Sequence, residues 1–456
     1  MNTQILPPSV TPSAFWQLER ADSDILLLVC SHLNEPKGRF SFYGTVRGLP
    51  VNKLFINSNG NNWYRDGIPG LGGNIEEIAA SLRALVDGVA PRELVTFGAS
   101  MGGYAAILFG ALLGATRVLA MSAKPVLPVP GTQPGKLMFG RPLSAYEDLT
   151  PYVEAAPATA FHIRAGEADV VDLYSAHRLA HLPNVTVGTV PDGAHEAARA
   201  LNDVGALVPL IESFVTRRGE IPAEIPAGTA LTGDRAAIPW LYLAHMHLEG
   251  GQIAAAEEAA RRALDHDRGL HIGHALLGRV LVRRGECAAA EPHLRLAVTA
   301  APQIPEYRHH LGLALSGLGR HAEAEEQQRL ALSRDSNHPS YHLHLGIALA
   351  DQGRLEEAVQ PMRDAAARNR EAPFIQHRLG MVLAELGRHE QAEAAQREAI
   401  RISPRNAGFH LQLGHALLAQ GRSAEAIAAY EQAVRINPGN PGLQATLERA
   451  KGVAAA

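Results

Sequence analysis

The chain has 456 residues, more than one hydrophobic core usually serves, so we expect at least two domains. An apolar share of 46% and a charged share of 19% are typical of a soluble globular protein. The net charge of −4, with no basic run, argues against nucleic acid or an anionic membrane surface as a partner.

The cysteines and the N-terminus bear on location. Cys30 and Cys287 lie far apart without metal-type spacing, which favours a reducing compartment over a disulfide framework. The sequence MNTQILPPSVTPSAFWQLER has no basic segment followed by an apolar one, and no apolar run approaches the roughly 18 residues of a membrane helix. We therefore expect a cytoplasmic protein.

Residues 1–218 alternate strand-like and helix-like runs, which predicts a mostly parallel sheet covered by helices, an α/β three-layer sandwich. The strand-like runs are DILLLVCSH, NKLFINS, ELVTFGAS, TRVLAMSA, TAFHIRAGEAD and NVTVGTVPDG. The helix-like runs are NIEEIAASLRALVDGV, MGGYAAILFGALLG, VDLYSAHRLAHL and HEAARALNDVGALVPLIESFVTRR.

Within ELVTFGASMGGYAAILFG, Gly98, Ser100 and Gly102 form G-x-S-x-G where a predicted strand passes into a predicted helix. Small neighbours let the chain turn sharply and lift a serine hydroxyl off the sheet, as a nucleophile elbow requires. The five-residue pattern alone is weak, because Gly and Ser are common. Its position between a strand and a helix is the stronger evidence.

A serine nucleophile needs a histidine to take its proton and an acid to orient that histidine. Asp169 lies at the C-terminal end of the strand-like run FHIRAGEAD, and His195 follows the next strand-like run, so both are expected at the sheet edge that carries Ser100. Two rival acids remain. Asp172 is expected inside the following helix, and Asp192 precedes His195 by only three residues.

Together these features resemble the α/β-hydrolase superfamily. The resemblance implies Ser100 as nucleophile, His195 as general base, Asp169 as orienting acid and the Met101 N–H as one oxyanion donor. It implies no cofactor and no metal.

Two segments depart from the family pattern. The strand that often ends in His-Gly here ends in LLLVCSHLN, so the second oxyanion donor is the N–H of Ser31 or of His32. The next strand leads into NSNGNNWYRDG, which either shapes a polar substrate site or forms a surface loop of Asn and Gly turns. Its candidate substrate-binding residues are Asn59, Asn62, Trp63, Tyr64 and Arg65.

After a Pro- and Gly-rich hinge at 219–235, residues 236–439 repeat with a period of 34. Small residues recur in one column (Ala244, Gly278, Gly312, Gly346, Gly380, Gly414), glycines seven residues later (Gly251, Gly285, Gly319, Gly353, Gly387, Gly421) and alanines five residues after those (Ala256, Ala290, Ala324, Ala358, Ala392, Ala426). The small columns allow two helices to approach closely, and the glycine column can end the first helix.

The 34-residue pattern resembles six tetratricopeptide repeats, followed by a C-terminal capping helix and tail at 440–456. The resemblance implies a superhelix whose concave groove holds a protein or peptide. Sixteen of the 21 histidines lie in this array, but they scatter without a convergent cluster, so we expect ordinary helix residues rather than a metal site.

The sequence therefore predicts a serine hydrolase that acts on an ester or thioester, with repeats that bind a protein partner or substrate. The alternatives are an acyltransferase acting on a glycan or other acceptor, and an inactive scaffold. Apolar residues of the hinge and first repeat, among them Ile221, Ile225 and Ile238, predict that the first repeat packs on the α/β domain.

Overall fold

The computed structural model describes residues 7, 10–32, 34–58, 60, 63–127, 145–191, 193 and 195–455. The chain divides into two compact units, Met1–Val280 and Leu281–Ala456. Among the helices of the described ranges, none is long and apolar enough to cross a membrane.

The first unit is built on a seven-stranded sheet in the order β1-β3-β2-β4-β5-β6-β7, in which β1 is antiparallel to β3 and the other neighbours are parallel. The strands are β1 (Trp16–Glu19), β2 (Ile25–Cys30), β3 (Asn52–Ile56), β4 (Glu93–Ala99), β5 (Arg117–Met121), β6 (Ala160–Gly166) and β7 (Val185–Val190). The six predicted strands are confirmed. The sequence did not indicate β1, because its four residues, Trp16–Glu19, are too short a run to give a clear strand signal.

Helices cover both faces of this sheet, as the alternating sequence predicts. They are α1 (Tyr43–Val46), α2 (Ile75–Val89), α3 (Met101–Leu113), α4 (Thr150–Glu154), α5 (Val170–His177), α6 (Ala197–Asp203) and α7 (Leu207–Thr216). Alternate strand residues such as Leu27, Phe97 and Leu119 share one buried cluster with Leu210 and Phe214 of α7. Helix α3 packs on β2, β4 and β5, where its Gly110 lies against Thr96 and Val118.

The last helical run of the α/β domain is broken into α6 and α7 rather than continuous. Gly205 adopts φ 72°, in the left-handed region, and the Ala206 N–H donates to the Leu201 carbonyl across the break. The break directs both helices onto the sheet, since Leu201 and Phe214 are buried in the same cluster.

Within the continuously described range 195–455, twelve helices follow the hinge in pairs, and a thirteenth closes the chain. They are α8 (Ala237–Glu249), α9 (Ile253–His266), α10 (His271–Arg284), α11 (Cys287–Ala300), α12 (Pro305–Gly317), α13 (His321–Leu332), α14 (Pro339–Asp351), α15 (Leu355–Arg368), α16 (Pro373–Glu385), α17 (His389–Ile402), α18 (Ala407–Ala419), α19 (Ser423–Ile436) and α20 (Pro441–Ala455). Six helical pairs match the six predicted repeats.

The three sequence columns have the structural roles that their composition predicts. Glycines of the second column, such as Gly353 and Gly421, both adopt φ 77° just after the first helix of a pair. A side chain at Gly414 of the first column would collide with the ring of Tyr430 on the partner helix. Ala358 of the third column is fully buried. Small residues are therefore required where the paired helices meet.

The first repeat packs on the α/β domain inside the first unit. Helix α8 contacts α5, where the rings of Tyr174 and Tyr242 stack with centroids 4.1 Å apart. In the hinge, Ile225 is buried in the sheet cluster. The predicted division at 218 and 236 follows sequence periodicity, whereas the compact unit extends to Val280 because these contacts join the hinge and first repeat to the α/β domain.

Candidate active site

Ser100 occupies the turn between β4 and α3 in a conformation that few residues adopt. Its φ of 53° and ψ of −119° are costly for a residue with a side chain, and such strain persists only where the surroundings enforce it. The Ser100 N–H donates to the Met121 carbonyl at 2.8 Å, which fixes the turn to β5. The residue is partly exposed at the carboxyl edge of the sheet.

The glycines on either side of Ser100 are required by close backbone approaches. A side chain at Gly98 would collide with the Gly102 carbonyl, and one at Gly102 would collide with the carbonyl of Cys30 on β2. The G-x-S-x-G spacing therefore reflects the geometry of the turn and is not a chance pattern.

Ser100, His195 and Asp172 form a continuous hydrogen-bonded series. Ser100 Oγ lies 3.0 Å from His195 Nε2, and His195 Nδ1 lies 3.0 Å from both carboxylate oxygens of Asp172. His195 follows β7, and its side chain is 43% exposed, whereas that of Asp172 is fully buried. The arrangement allows the imidazole to accept the serine proton at Nε2 while Nδ1–H donates to the carboxylate.

The acid in contact with His195 is Asp172, and the prediction that Asp169 has this position is wrong. Asp169 instead caps helix α5, since its side chain accepts the backbone N–H of Asp172 at 2.9 Å. Asp172 lies in the first turn of α5, as expected, and that turn is close enough to the sheet edge to reach the imidazole. The other rival, Asp192, lies outside the described residues.

The surroundings shift the pKa values of Asp172, His195 and Asp169 in different directions. Burial raises the pKa of Asp172, but the Lys124 charge and the His195 hydrogen bond outweigh it and lower that pKa. Partial burial lowers the pKa of His195, but the Asp172 hydrogen bond and charge outweigh this, so the His195 pKa is raised. Burial and the neighbouring Asp172 charge raise the pKa of Asp169. Of the two aspartates, the one in contact with His195 is therefore the one whose pKa is lowered.

Lys124 is a member of this cluster that sequence reasoning missed. Its Nζ lies 2.5 Å from Asp172 Oδ1 and 3.3 Å from His195 Nδ1, and its side chain is 10% exposed. A signal was available, because Lys124 comes three residues after the end of β5, at the same carboxyl edge as Ser100 and His195.

Within the described residues, the group of acidic, histidine and cysteine side chains able to surround one ion is Asp169, Asp172 and His195, whose potential ligand atoms lie within 4.8 Å of one another. The Lys124 ammonium already lies against Asp172 and would repel a metal cation. Asp169 is also engaged with the helix terminus. The contacts fit a hydrogen-bonded series better than a metal site.

Three backbone N–H groups near Ser100 are candidate donors to an oxyanion, and they differ in whether they already have an acceptor. Met101 is the first residue of α3, so its N–H is one of the amides without an intrahelical acceptor. The Ser31 N–H donates to the Ile56 carbonyl at 3.0 Å, which removes Ser31 from the candidates. The His32 N–H donates to Ser41 Oγ at 3.0 Å, and a hydroxyl, unlike a paired strand carbonyl, can turn to another partner. His32 therefore remains the candidate second donor.

The described side chains of the loop after β3 are buried or paired with other parts of the α/β domain. Asn59 and Asn62 lie outside the described residues. Tyr64 is fully buried and its hydroxyl donates to the Ser31 carbonyl at 2.7 Å, while Trp63 is 4% exposed. Arg65 pairs with Glu147 at 3.3 Å. Tyr64 thus supports the backbone that precedes His32, and Trp63 is buried, while a direct role of this loop in substrate binding stays a prediction.

Comparison with known proteins identifies the C-terminal part. It matches the tetratricopeptide repeat model over residues 241–305, 275–339, 309–374 and 377–441, which confirms the predicted repeat array. A search of the curated proteins finds no match to this chain.

Several solved structures resemble part of the chain. Pseudomonas aeruginosa pilF is 20% identical with a TM-score of 0.42, covering 47% of this chain and 98% of that one. YrrB, a TPR protein with an unusual peptide-binding site, is 18% identical with a TM-score of 0.36, covering 42% and 100%. MamA from Desulfovibrio magneticus RS-1 is 18% identical with a TM-score of 0.35, covering 37% and 95%.

Proposed function

We propose that the α/β domain is a serine hydrolase of the α/β-hydrolase type that cleaves an ester or thioester through an acyl-enzyme. The observation that carries the proposal is the series Ser100 Oγ, His195 Nε2, His195 Nδ1 and Asp172, with 3.0 Å at each step. The strained backbone of Ser100 supports it, because such strain is typical of a nucleophile elbow.

In the proposed reaction, Ser100 Oγ attacks the acyl carbonyl while His195 Nε2 takes the hydroxyl proton. The tetrahedral oxyanion lies near the Met101 N–H, at the N-terminus of α3, where the partial positive charge of the helix stabilises it. His195 then gives the proton to the leaving alcohol or thiol. A water then attacks the acyl carbon while His195 Nε2 takes its proton, and the acid is released as the imidazole returns that proton to Ser100 Oγ.

The repeat array supplies the second half of the proposal, which is that it binds a protein partner or a protein-borne substrate. Tetratricopeptide repeats present extended helical surfaces, and stacked repeats are typically interaction modules. Acyl transfer to a glycan or another acceptor would use the same three residues and differ only in what attacks the acyl-enzyme.

The proposal is tested with a fluorophosphonate probe and a screen of short-chain p-nitrophenyl esters and thioesters. We expect the purified chain to be labelled and to turn over at least one of these substrates. Ser100→Ala should lose labelling, and both Ser100→Ala and His195→Ala should lower kcat by several orders of magnitude with little effect on folding. Ser175→Ala, which removes a buried hydroxyl of α5 outside the series, is the matched control.

Three outcomes separate the candidate functions. Labelling that persists in Ser100→Ala would refute Ser100 as the nucleophile. A folded wild-type chain that is neither labelled nor active would favour a protein-binding scaffold. A labelled chain that hydrolyses slowly, but faster when an alcohol or sugar acceptor is added, would indicate an acyltransferase.

A further inference from the structure

Lys124 introduces a positive charge into a site that would be complete without it. Its side chain is 10% exposed, and removing an ammonium from water is costly unless it is paired. Its carboxylate partner is Asp172, which is also the partner of His195. One buried carboxylate thus binds both the Lys124 ammonium and the His195 imidazole. In a simple Ser-His-Asp series, the carboxylate would bind the histidine alone.

We propose that Lys124 is a positioning residue of this site. Its ammonium holds the Asp172 carboxylate ionised and in place, and limits how strongly that carboxylate can stabilise a protonated His195. This inference rests on the proposed function, because it concerns the base that would activate Ser100.

The hydrogen-bond geometry supports a positioning role. When Nδ1–H of His195 donates to Asp172, Nε2 is left as an acceptor facing the Ser100 hydroxyl, which is the productive tautomer. A lysine that donated to Nδ1 would place the proton on Nε2 instead. Lys124 Nζ is closer to Asp172, at 2.5 Å, than to Nδ1, at 3.3 Å. The carboxylate therefore engages the ammonium and leaves Nδ1–H to donate.

The charges around His195 point the same way. The described groups that face its imidazole are Asp172 and Asp169 at the start of α5, Lys124 after β5 and the neutral hydroxyl of Ser100. The aspartates raise the pKa of His195, and the Lys124 charge opposes them. A neutral residue at position 124 would leave the aspartates unopposed, so the His195 pKa would rise further, by about one unit or more for a charge this close.

The sign of the effect on activity follows from the role of the base. His195 must be neutral to accept the Ser100 proton, so activity falls as the pH falls through the His195 pKa. A higher pKa moves this acid limb of kcat/KM to higher pH. Lys124 thus extends the working range of the site toward lower pH.

The experiment compares Lys124→Met and Lys124→Gln, which remove the charge, with Lys124→Arg, which keeps it. Two readouts are used: the pH dependence of kcat/KM, or of fluorophosphonate labelling, and the NMR titration of the His195 imidazole, identified by its absence in His195→Gln. We expect the acid limb and the titration midpoint to rise by about one unit in the neutral variants and to stay near wild type in Lys124→Arg.

A His195 midpoint that is unchanged in the folded neutral variants would overturn the inference and leave Lys124 as a packing residue. If Lys124→Met does not fold, Lys124→Gln, which can still donate to Asp172, gives the same comparison. The NMR titration does not require turnover. An inactive, unlabelled wild type would therefore refute the proposed function, while the shift in the His195 titration would still decide the role of Lys124.

Discussion

At the residue scale, we expect very different kinetic effects from substituting the two aspartates at the start of α5. Asp172→Asn should lower kcat by about 10⁴-fold, because an amide cannot hold the imidazole in the productive tautomer or stabilise its protonated form. Asp169→Asn should cost less than tenfold, because asparagine is an equally good helix cap and keeps the acceptor for the Asp172 N–H. Steady-state kinetics with an ester found in the screen measures both.

The control for these variants concerns folding. Asp172→Asn leaves the Lys124 ammonium buried without its hydrogen-bonded carboxylate partner, so thermal unfolding should be compared with the double variant Asp172→Asn/Lys124→Met, which removes that charge as well. The double variant should regain stability but not activity. Equal kinetic losses for Asp169→Asn and Asp172→Asn would contradict the assignment of Asp172.

The same pair of residues shows which parts of the site could be predicted from the sequence and which could not. Chain order and strand ends predicted that Ser100 and His195 lie close together, because a parallel sheet brings its carboxyl ends to one edge, and their side chains lie 3.0 Å apart. Asp169 and Asp172 share one helix start, and sequence does not show which carboxylate the helix takes as its cap. Lys124 escaped notice because buried lysines are rare, although its place after β5 was visible.

At the element scale, the packing of the paired helices predicts that adding one methyl group destabilises the repeats at some glycines and not at others. Gly414→Ala should destabilise the second unit by about 1–3 kcal/mol, because the new Cβ would collide with the ring of Tyr430, which is 1% exposed. Gly439→Ala is the matched control in the same unit, since nothing lies within 4 Å of its added Cβ. Urea unfolding of the full chain, followed by the helical circular dichroism signal, measures both.

A double-mutant cycle separates packing from helix propensity. Tyr430→Leu removes the ring, so the added cost of Gly414→Ala should shrink in that background. An undiminished cost would mean that the small column is not a packing requirement. The 34-residue period was enough to predict that the paired helices approach closely at the small column, because each repeat has the same helix pair. In contrast, the break at Gly205 appears once and could not be inferred from periodicity.

At the scale of the whole chain, a buried polar contact that no sequence motif indicates joins the hinge to the α/β domain. Glu167 follows β6, and its Oε1 accepts hydrogen bonds from the Thr189 hydroxyl at 2.8 Å and the Ala230 N–H at 2.6 Å. Its Oε2 lies 3.5 Å from His271 Nε2 of α10. One carboxylate thus joins the sheet, the hinge and a helix of the repeats within the first unit.

Glu167→Gln tests whether this contact attaches the hinge and α10, the first helix of the second repeat, to the α/β domain. The amide keeps one acceptor oxygen for Thr189 and Ala230 but loses the charge that faces His271, so we expect a loss of about 2 kcal/mol in unfolding free energy near neutral pH. Glu224→Gln in the exposed part of the hinge is the control and should change little. Urea unfolding at several pH values measures the difference.

The stability difference between wild type and Glu167→Gln should depend on pH in a direction set by the pKa of Glu167. Burial alone would raise the pKa of Glu167, but hydrogen bonds from His271, Ala230 and Thr189 outweigh it and lower the pKa below its ordinary value. A lowered pKa in the folded state contributes stability above the unfolded value, near 4.3, and that contribution is lost as the pH falls through the folded value. Wild type and Glu167→Gln should therefore converge in acid. A difference that persists unchanged below both pKa values would mean that the carboxylate charge does not hold the hinge and α10 in place.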